Sequence, residues 1–234
     1  MTKPIGFDQK VLLNHLDFTA NHTKKYSRKD MYEVLDGYLR NDITGAKSRK
    51  NAVTMLMKIW YLVDKDLIEI RDRVLEVLPV LTKEERVFVH WGMTLAAYPF
   101  FKDAVHELGK LFQLQDTVPS TVIGKRMKEE YGDRRRVEVA TSAVLMSIKA
   151  WGIIIPTKNR SYQSPDKAFI SNPVLQVFIV QIMLHVLENT ALQLDILKNN
   201  PMLFPFDLFE LRQCEGITLH HQGVDTLIVE CKRS

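Results

Sequence analysis

Three consecutive arginines, Arg134, Arg135 and Arg136, follow Gly132 and Asp133 and lead into the apolar residues Val137, Ala140, Val144, Ile148 and Trp151, spaced 3, 4, 4 and 3. That spacing predicts a helix with one buried stripe, capped by Asp133, carrying the arginines in its first turn and Arg135, Ser142 and Lys149 on its opposite side. A helix N-terminus is partially positive, so each cation placed there costs a few tenths to about 1 kcal/mol unless an anion compensates. Phosphate oxygens would do so, because free N–H groups and guanidinium forks converge on them. The chemistry is therefore polyanion binding, joined by Lys125, Arg126 and Lys128 just upstream. Pairing of the arginines with their neighbours Asp133 and Glu138 is the competing reading.

Other reactive side chains do not assemble a recognisable catalyst. No glycine-rich phosphate loop, HExxH helix, GxSxG elbow or CxxC pair occurs. His185 and Glu188 share a helical face, which predicts a core histidine with a polar neighbour rather than a metal ligand. His220 and His221 fall in a predicted strand and point to opposite faces. The run from Asp225 through Glu230 to Lys232 looks like the Asp…Glu-x-Lys strand of magnesium-dependent restriction-type nucleases, with Asp207 as a further carboxylate. In a strand, however, Asp225 and Glu230 face opposite sides, and a charged edge strand that resists pairing with other sheets explains the run as well. The expectation is no catalytic residue, no metal and no cofactor.

The elements that must position the arginines can be read on both sides of them. Ser120 is predicted to cap a helix bearing Ile123, Met127 and Tyr131, which Gly132 ends. After Trp151 come Gly152, the apolar run Ile153–Ile155, a polar loop and the apolar pair Phe169–Ile170, read as strand, loop, strand. Helix, tight turn, longer helix and β excursion is the order of a winged helix-turn-helix. Its wing would place Lys158, Arg160 and Lys167 on the DNA backbone beside the groove holding the second helix. Upstream, helices are predicted behind Ser27, behind Ser48, at the Thr82–Glu85 capping box and after Pro99. Lys47, Arg49 and Lys50 surround the Ser48 start, so residues 38–60 offer a second helix-turn-helix corner. Downstream, Asn172–Pro173 opens a helix predicted to run to residue 198, and Ile217, Leu219, Gln222–Gly223, Leu227 and Val229 read as a terminal β-hairpin. No internal repeat is visible.

The chain of 234 residues is 46% hydrophobic and 26% charged, which excludes a disordered tail, a collagen-like fibre and a coiled-coil rod. Its net charge of +4 is unevenly spread: residues 1–60 hold 11 Lys/Arg against 6 Asp/Glu and residues 117–171 hold 10 against 5, whereas the intervening and final segments are acidic. Local polyanion contact fits that pattern better than a uniformly adhesive surface. Cys214 and Cys231 are too few for a disulfide framework, which favours a reduced compartment. Met1–Lys10 shows no apolar stretch behind its charges, and the run Val174–Leu187 is too short for a bilayer, so a cytoplasmic chain with no membrane partner is expected. The organisation read is an N-terminal helical region (1–116), a winged helix-turn-helix (117–171), and a long buried helix with a β-hairpin (172–234). In class it is mainly α, a helical array with an embedded winged helix-turn-helix.

The helical N-terminal array, the LAAYPFF run at Leu95–Phe101 and the stretch DRRRVEVATSAVLMSIKAWGII at Asp133–Ile154 resemble the small BrxA-type accessory proteins of BREX phage-defence systems. The resemblance covers residues 30–190 and does not extend to the C-terminal hairpin. It implies a non-enzymatic protein that binds double-stranded DNA, uses no cofactor and works beside other proteins of a bacterial defence locus. The alternatives are a protein-interaction module, in which the basic helix docks on an acidic partner, and a nuclease acting through Glu230 and Lys232.

Overall fold

Capping chemistry starts the helices where the sequence predicts at several points. Ser27 Oγ accepts from Asp30 N (3.3 Å), Thr82 and Glu85 exchange reciprocal bonds of 3.2 and 3.0 Å, and Asn172 Oδ1 accepts from Val174 N (3.0 Å). The computed structural model describes residues 3–208, 211, 213–222 and 226–231. Over these the protein is mainly helical with small sheets.

The N-terminal helices are α1 (Leu13–His22), α2 (Arg28–Leu39), α3 (Ala46–Leu56, continued by a π-helical turn Met57–Tyr61), α4 (Ile68–Val77), α5 (Lys83–Ala97) and α6 (Pro99–Leu114). There follow β1 (Thr117–Pro119), α7 (Ser120–Tyr131), α8 (Arg135–Ala150), β2 (Ile155–Pro156), β3 (Ser161–Gln163) and β4 (Ala168–Phe169). The last part comprises α9 (Pro173–Val186), β5 (Ala191–Gln193), α10 (Leu194–Lys198), β6 (Phe206–Asp207), β7 (Ile217–Gln222) and β8 (Thr226–Cys231).

Four boundaries differ from the sequence reading. Gly45, not Ser48, precedes α3, and Pro119, not Ser120, precedes α7, into which a short strand, β1, runs directly. Helix α9 stops at Val186 rather than near residue 198. Glu188 adopts φ 55, and the chain turns into β5, which pairs with β8. The second strand expected after Trp151 is Ser161–Gln163, whereas Ala168–Phe169 leaves to pair in parallel with β6.

The two three-stranded sheets share one topology. Strands β1, β2 and β3 lie in the order β1–β3–β2, and β5, β7 and β8 in the order β5–β8–β7, all antiparallel. In each case a helix (α6 or α9) precedes the first strand, and a second helix (α7 or α10) follows it directly. The units part company at the next step. The first continues into α8, while between α10 and β7 the described residues form a 3-10 turn at Pro201–Leu203 and strand β6, and no α-helix.

Buried apolar residues form one continuous cluster from Ile5 to Val229. Helix α9, apolar nearly all round, packs against α4, α5 and β8. Gly92 of α5 faces it so closely that an added Cβ would lie 2.6 Å from the Phe178 ring. Two tryptophans stitch distant segments together: Trp91 Nε1 donates to Met202 O (3.0 Å), and Trp151 Nε1 donates to Val11 O (2.9 Å). Trp91 meets the rings of Phe101, Trp151, Phe204 and Phe206 edge-on.

Candidate nucleic-acid interface

Helix α7 ends where Gly132, at φ 87, takes a backbone conformation that a side chain would strain, and Gly132 N closes the helix on Lys128 O (2.8 Å). Three residues later, at Arg135, α8 begins. Val137, Ala140, Val144, Ile148 and Trp151 are all buried, as their spacing predicts. The opposite side carries Arg135, Val139, Ser142, Met146 and Lys149, all exposed, at steps of 4, 3, 4 and 3. Val139 and Met146 are 43% and 42% exposed, so two apolar side chains bracket Ser142 in the middle of this row and its ends are cationic.

The arginine triplet divides into three roles. Arg134 is the residue before the helix and not part of its first turn; it, rather than Asp133, occupies the capping position, and its side chain makes no capping bond. Its guanidinium folds back to donate to Tyr131 O (2.8 Å) and to Lys3 O (3.4 Å), while its Nε is buried without a partner. Arg136 lies 3.6 Å from Asp8 in an exposed ion pair. Arg135 is exposed and forms no ion pair with a described residue.

The nearby carboxylates serve a lysine instead of the arginines. Asp133 Oδ1 lies 2.9 Å from Lys128 Nζ, and Glu138 holds the same ammonium, which ties the end of α7 to the first turn of α8. The hydrogen bond to Glu138, with that to Asp133 beside it, pushes the Lys128 pKa up to about 12. Lys128 is therefore a strut. Lys125 and Arg126 reach one shared carboxylate, Glu129, only loosely, at 3.9 and 3.8 Å. Exposed pairs of this length contribute little, so both cations can be recruited by a stronger anion.

Grooves run along both flanks of α8. Lys125, Lys128, Ser142, Leu145, Met146 and Tyr162 line one of about 570 Å³ toward α7 and β3. Asp8, Gln9, Lys10, Arg135, Val139 and Met146 line another of about 340 Å³. The second groove exists because the N-terminal segment runs as a strap from the end of α7 along α8. Lys3 pairs with Glu130, Val11 N donates to Ser147 Oγ (3.0 Å), and Asp8 meets Arg136. The sequence reading missed this strap, whose one local signal is the pair Phe7 and Val11 in a polar start.

Tyr162 of β3 lines the groove, so the sheet that carries the β2–β3 loop borders the α8 ridge. Thr157 N bonds to Ser161 O (2.8 Å), and Asn159 and Arg160 take φ 60 and 55 to close the turn. Asn tolerates that conformation readily, but for Arg it costs about 1–2 kcal/mol. Lys158 and Arg160 are exposed and form no ion pair with a described residue. Lys167, expected in the same loop, instead lines a different cavity with Gln113, Lys198 and Phe204.

The N-terminal corner is arranged differently from the α7–α8 turn. Arg49 Nε lies 2.6 Å from Asp36 Oδ1, and its Nη1 donates to Ile43 O and Thr44 O at 3.1 and 3.2 Å, so a side chain only 13% exposed cements the α2–α3 turn. Arg49 is thus withdrawn from the surface, while Lys47 and Lys50 stay exposed. Among the described residues no group of three or more His, Cys, Asp or Glu is arranged to hold a metal. His185 meets Asp66 at 2.7 Å and Asp64 at 3.3 Å rather than Glu188. Glu230 lies 3.6 Å from His220, whereas Asp225 and Lys232 fall outside the described residues. Burial pushes the Cys231 thiol up to about 11. No helix among the described residues is long and apolar enough to cross a membrane.

Comparison with family models, with curated proteins and with solved structures finds no match for this chain.

Proposed function

We propose that the protein binds double-stranded DNA through the exposed row of α8, with α6, β1, α7, α8, β2 and β3 read as a winged helix-turn-helix and residues 157–160 as its wing. The observation that carries this reading is Arg135, a cation without an internal partner among the described residues, at the head of a ridge flanked by grooves, one of them bordered by the sheet that carries Lys158 and Arg160. From Arg135 to Lys149 the helix is about 21 Å long. That exceeds the width of a B-DNA major groove, about 12 Å, so cations at both ends reach opposite walls while the middle of the row faces base edges. There Ser142 offers a hydrogen bond, and Val139 and Met146 offer apolar contact suited to thymine methyl groups. Phosphate contacts by Arg135, Arg136, Lys149, Lys158, Arg160 and Lys125 position the protein and supply most of the affinity.

Six such contacts give a slope of about −5 in the logarithm of affinity against the logarithm of salt concentration. The test is that slope, measured by anisotropy on unrelated duplexes. Replacing Arg135, Arg136, Lys158 and Arg160 together with alanine flattens it to about −2 if the reading is right; an unchanged slope refutes it. By its resemblance, the protein is an accessory component of a BREX-type phage-defence system, acting without catalysis or cofactor in the cytoplasm alongside other proteins of that locus. The exposed Val139–Met146 pair also favours a second reading, docking on an acidic protein partner. That reading predicts a stable complex in the absence of DNA, lost in the same quadruple variant.

A further inference from the structure

The chain from the end of α1 into the first turn of α2 reads Lys24, Lys25, Tyr26, Ser27, Arg28, Lys29, four cations around one tyrosine. Lys24 leans toward Asp72 and Glu76 at 3.7 and 4.0 Å, but Lys25, Arg28 and Lys29 are exposed and form no ion pair with a described residue. Arg28 and Lys29 occupy the first turn of α2, where the helix field disfavours them.

The tyrosine ends a column of rings. Tyr38 stacks on Phe18 (centroids 3.8 Å, 8° between planes), Phe18 on His22 (4.2 Å, 27°) and His22 on Tyr26 (5.8 Å, 19°). Among the described residues these are the ring pairs that lie near parallel; those of the core meet edge-on or tilted. Tyr26 is 39% exposed, its hydroxyl bonds to no described residue, and its ring contact is with His22 alone among them. The platform is also fixed in place. Tyr61 Oη donates to Tyr26 O (3.1 Å), and His22 Nδ1 is held at 2.7 Å by Phe18 O. A rigid aromatic face with unpaired cations around it is the combination that single strands use, bases stacking on rings while phosphates meet cations.

We infer that Tyr26 is a stacking platform for an unpaired base of single-stranded nucleic acid, with the adjoining phosphates held by Lys25, Arg28 and Lys29. This site is separate from the α8 row and does not depend on it. The test compares labelled oligothymidylate with an abasic phosphodiester chain of the same length, using the full-length protein. The wild type should hold the oligothymidylate about fivefold to a hundredfold more tightly. Tyr26→Ala should abolish that preference without weakening the abasic chain, Tyr26→Phe should retain it, and Arg28→Ala with Lys29→Ala should weaken both chains alike. A second readout needs no affinity. In Tyr26→Trp the new indole is exposed while Trp60, Trp91 and Trp151 are buried, so oligothymidylate should quench it and the abasic chain should not. Equal binding of the two chains, no binding of either, or an unaltered preference in Tyr26→Ala overturns the inference. Arg135→Ala assayed in parallel on duplex should weaken duplex alone, so the duplex reading and this one can fail separately.

Discussion

Arg134 and Arg135 are neighbours in sequence, yet their alanine variants should have opposite phenotypes. Arg134 donates to Tyr131 O at 2.8 Å across the turn between α7 and α8, with a weaker second bond to Lys3 O. A hydrogen bond from a charged group is worth ~1.5–3 kcal/mol, and because Arg134 is only half-buried we discount this to about 1–2 kcal/mol. For a chain of this length each kcal/mol moves Tm by about 2–4 °C, so Arg134→Ala should melt roughly 2–8 °C lower. Arg135→Ala loses no internal bond and removes a cation from the first turn of α8, so its Tm should hold or rise by up to about 1 kcal/mol equivalent. On duplex DNA the order reverses: Arg135→Ala should reduce the magnitude of the salt slope by about one, and folded Arg134→Ala should leave it unchanged. Thermal unfolding followed by circular dichroism, paired with salt-dependent anisotropy, reads both effects. Equal melting points together with equal slopes in the two variants would refute the division of roles within the triplet.

Duplexes in which thymine is replaced by uracil, which removes only the methyl group, should bind less tightly to the wild type and equally to Val139→Ala with Met146→Ala; competitive anisotropy decides it. Gly109→Ala should cost at least ~1–3 kcal/mol in chemical denaturation, since its Cβ would fall 2.0 Å from Pro201 O, a backbone atom. Stability should decline as pH falls below about 6.5. Burial lowers the pKa of His90 and His15 against the pull of Asp17 and Asp42, so the folded state keeps both rings neutral while the unfolded chain takes up protons. Urea titrations at stepped pH test this, and a flat profile from pH 7 to 5 would contradict it.

The parts of this molecule that depend on local periodicity and capping were legible in the sequence. The buried row Val137–Trp151, the caps Ser27, Thr82 and Asn172, and the break at Gly132 all follow from neighbours within four residues. What escaped depends on partners far along the chain. Nothing near Arg49 announces that Asp36 and two turn carbonyls will claim it. Asp133 could as readily have capped α8 as bridged Lys128. Asn199 and Asn200 before Pro201 are a helix stop signal, but the helix they end is α10 and not α9, and only the pairing of β5 with β8 shows that the chain between them is a separate element. The aromatic column was within reach: Phe18, His22 and Tyr26 recur every four residues, a helical interval that brings rings onto one side.

The shared strand order of the two sheets bears on valency. At the point where the first unit extends α8, the second sends its chain inward, and Pro201 comes to rest against Gly109 of α6. Under the duplex-binding reading proposed above, that half would anchor where its counterpart probes, so of the two related units among the described residues only the first would serve as a reading head. Avidity between these two units would then be closed to one molecule, and a palindromic target would have to recruit two.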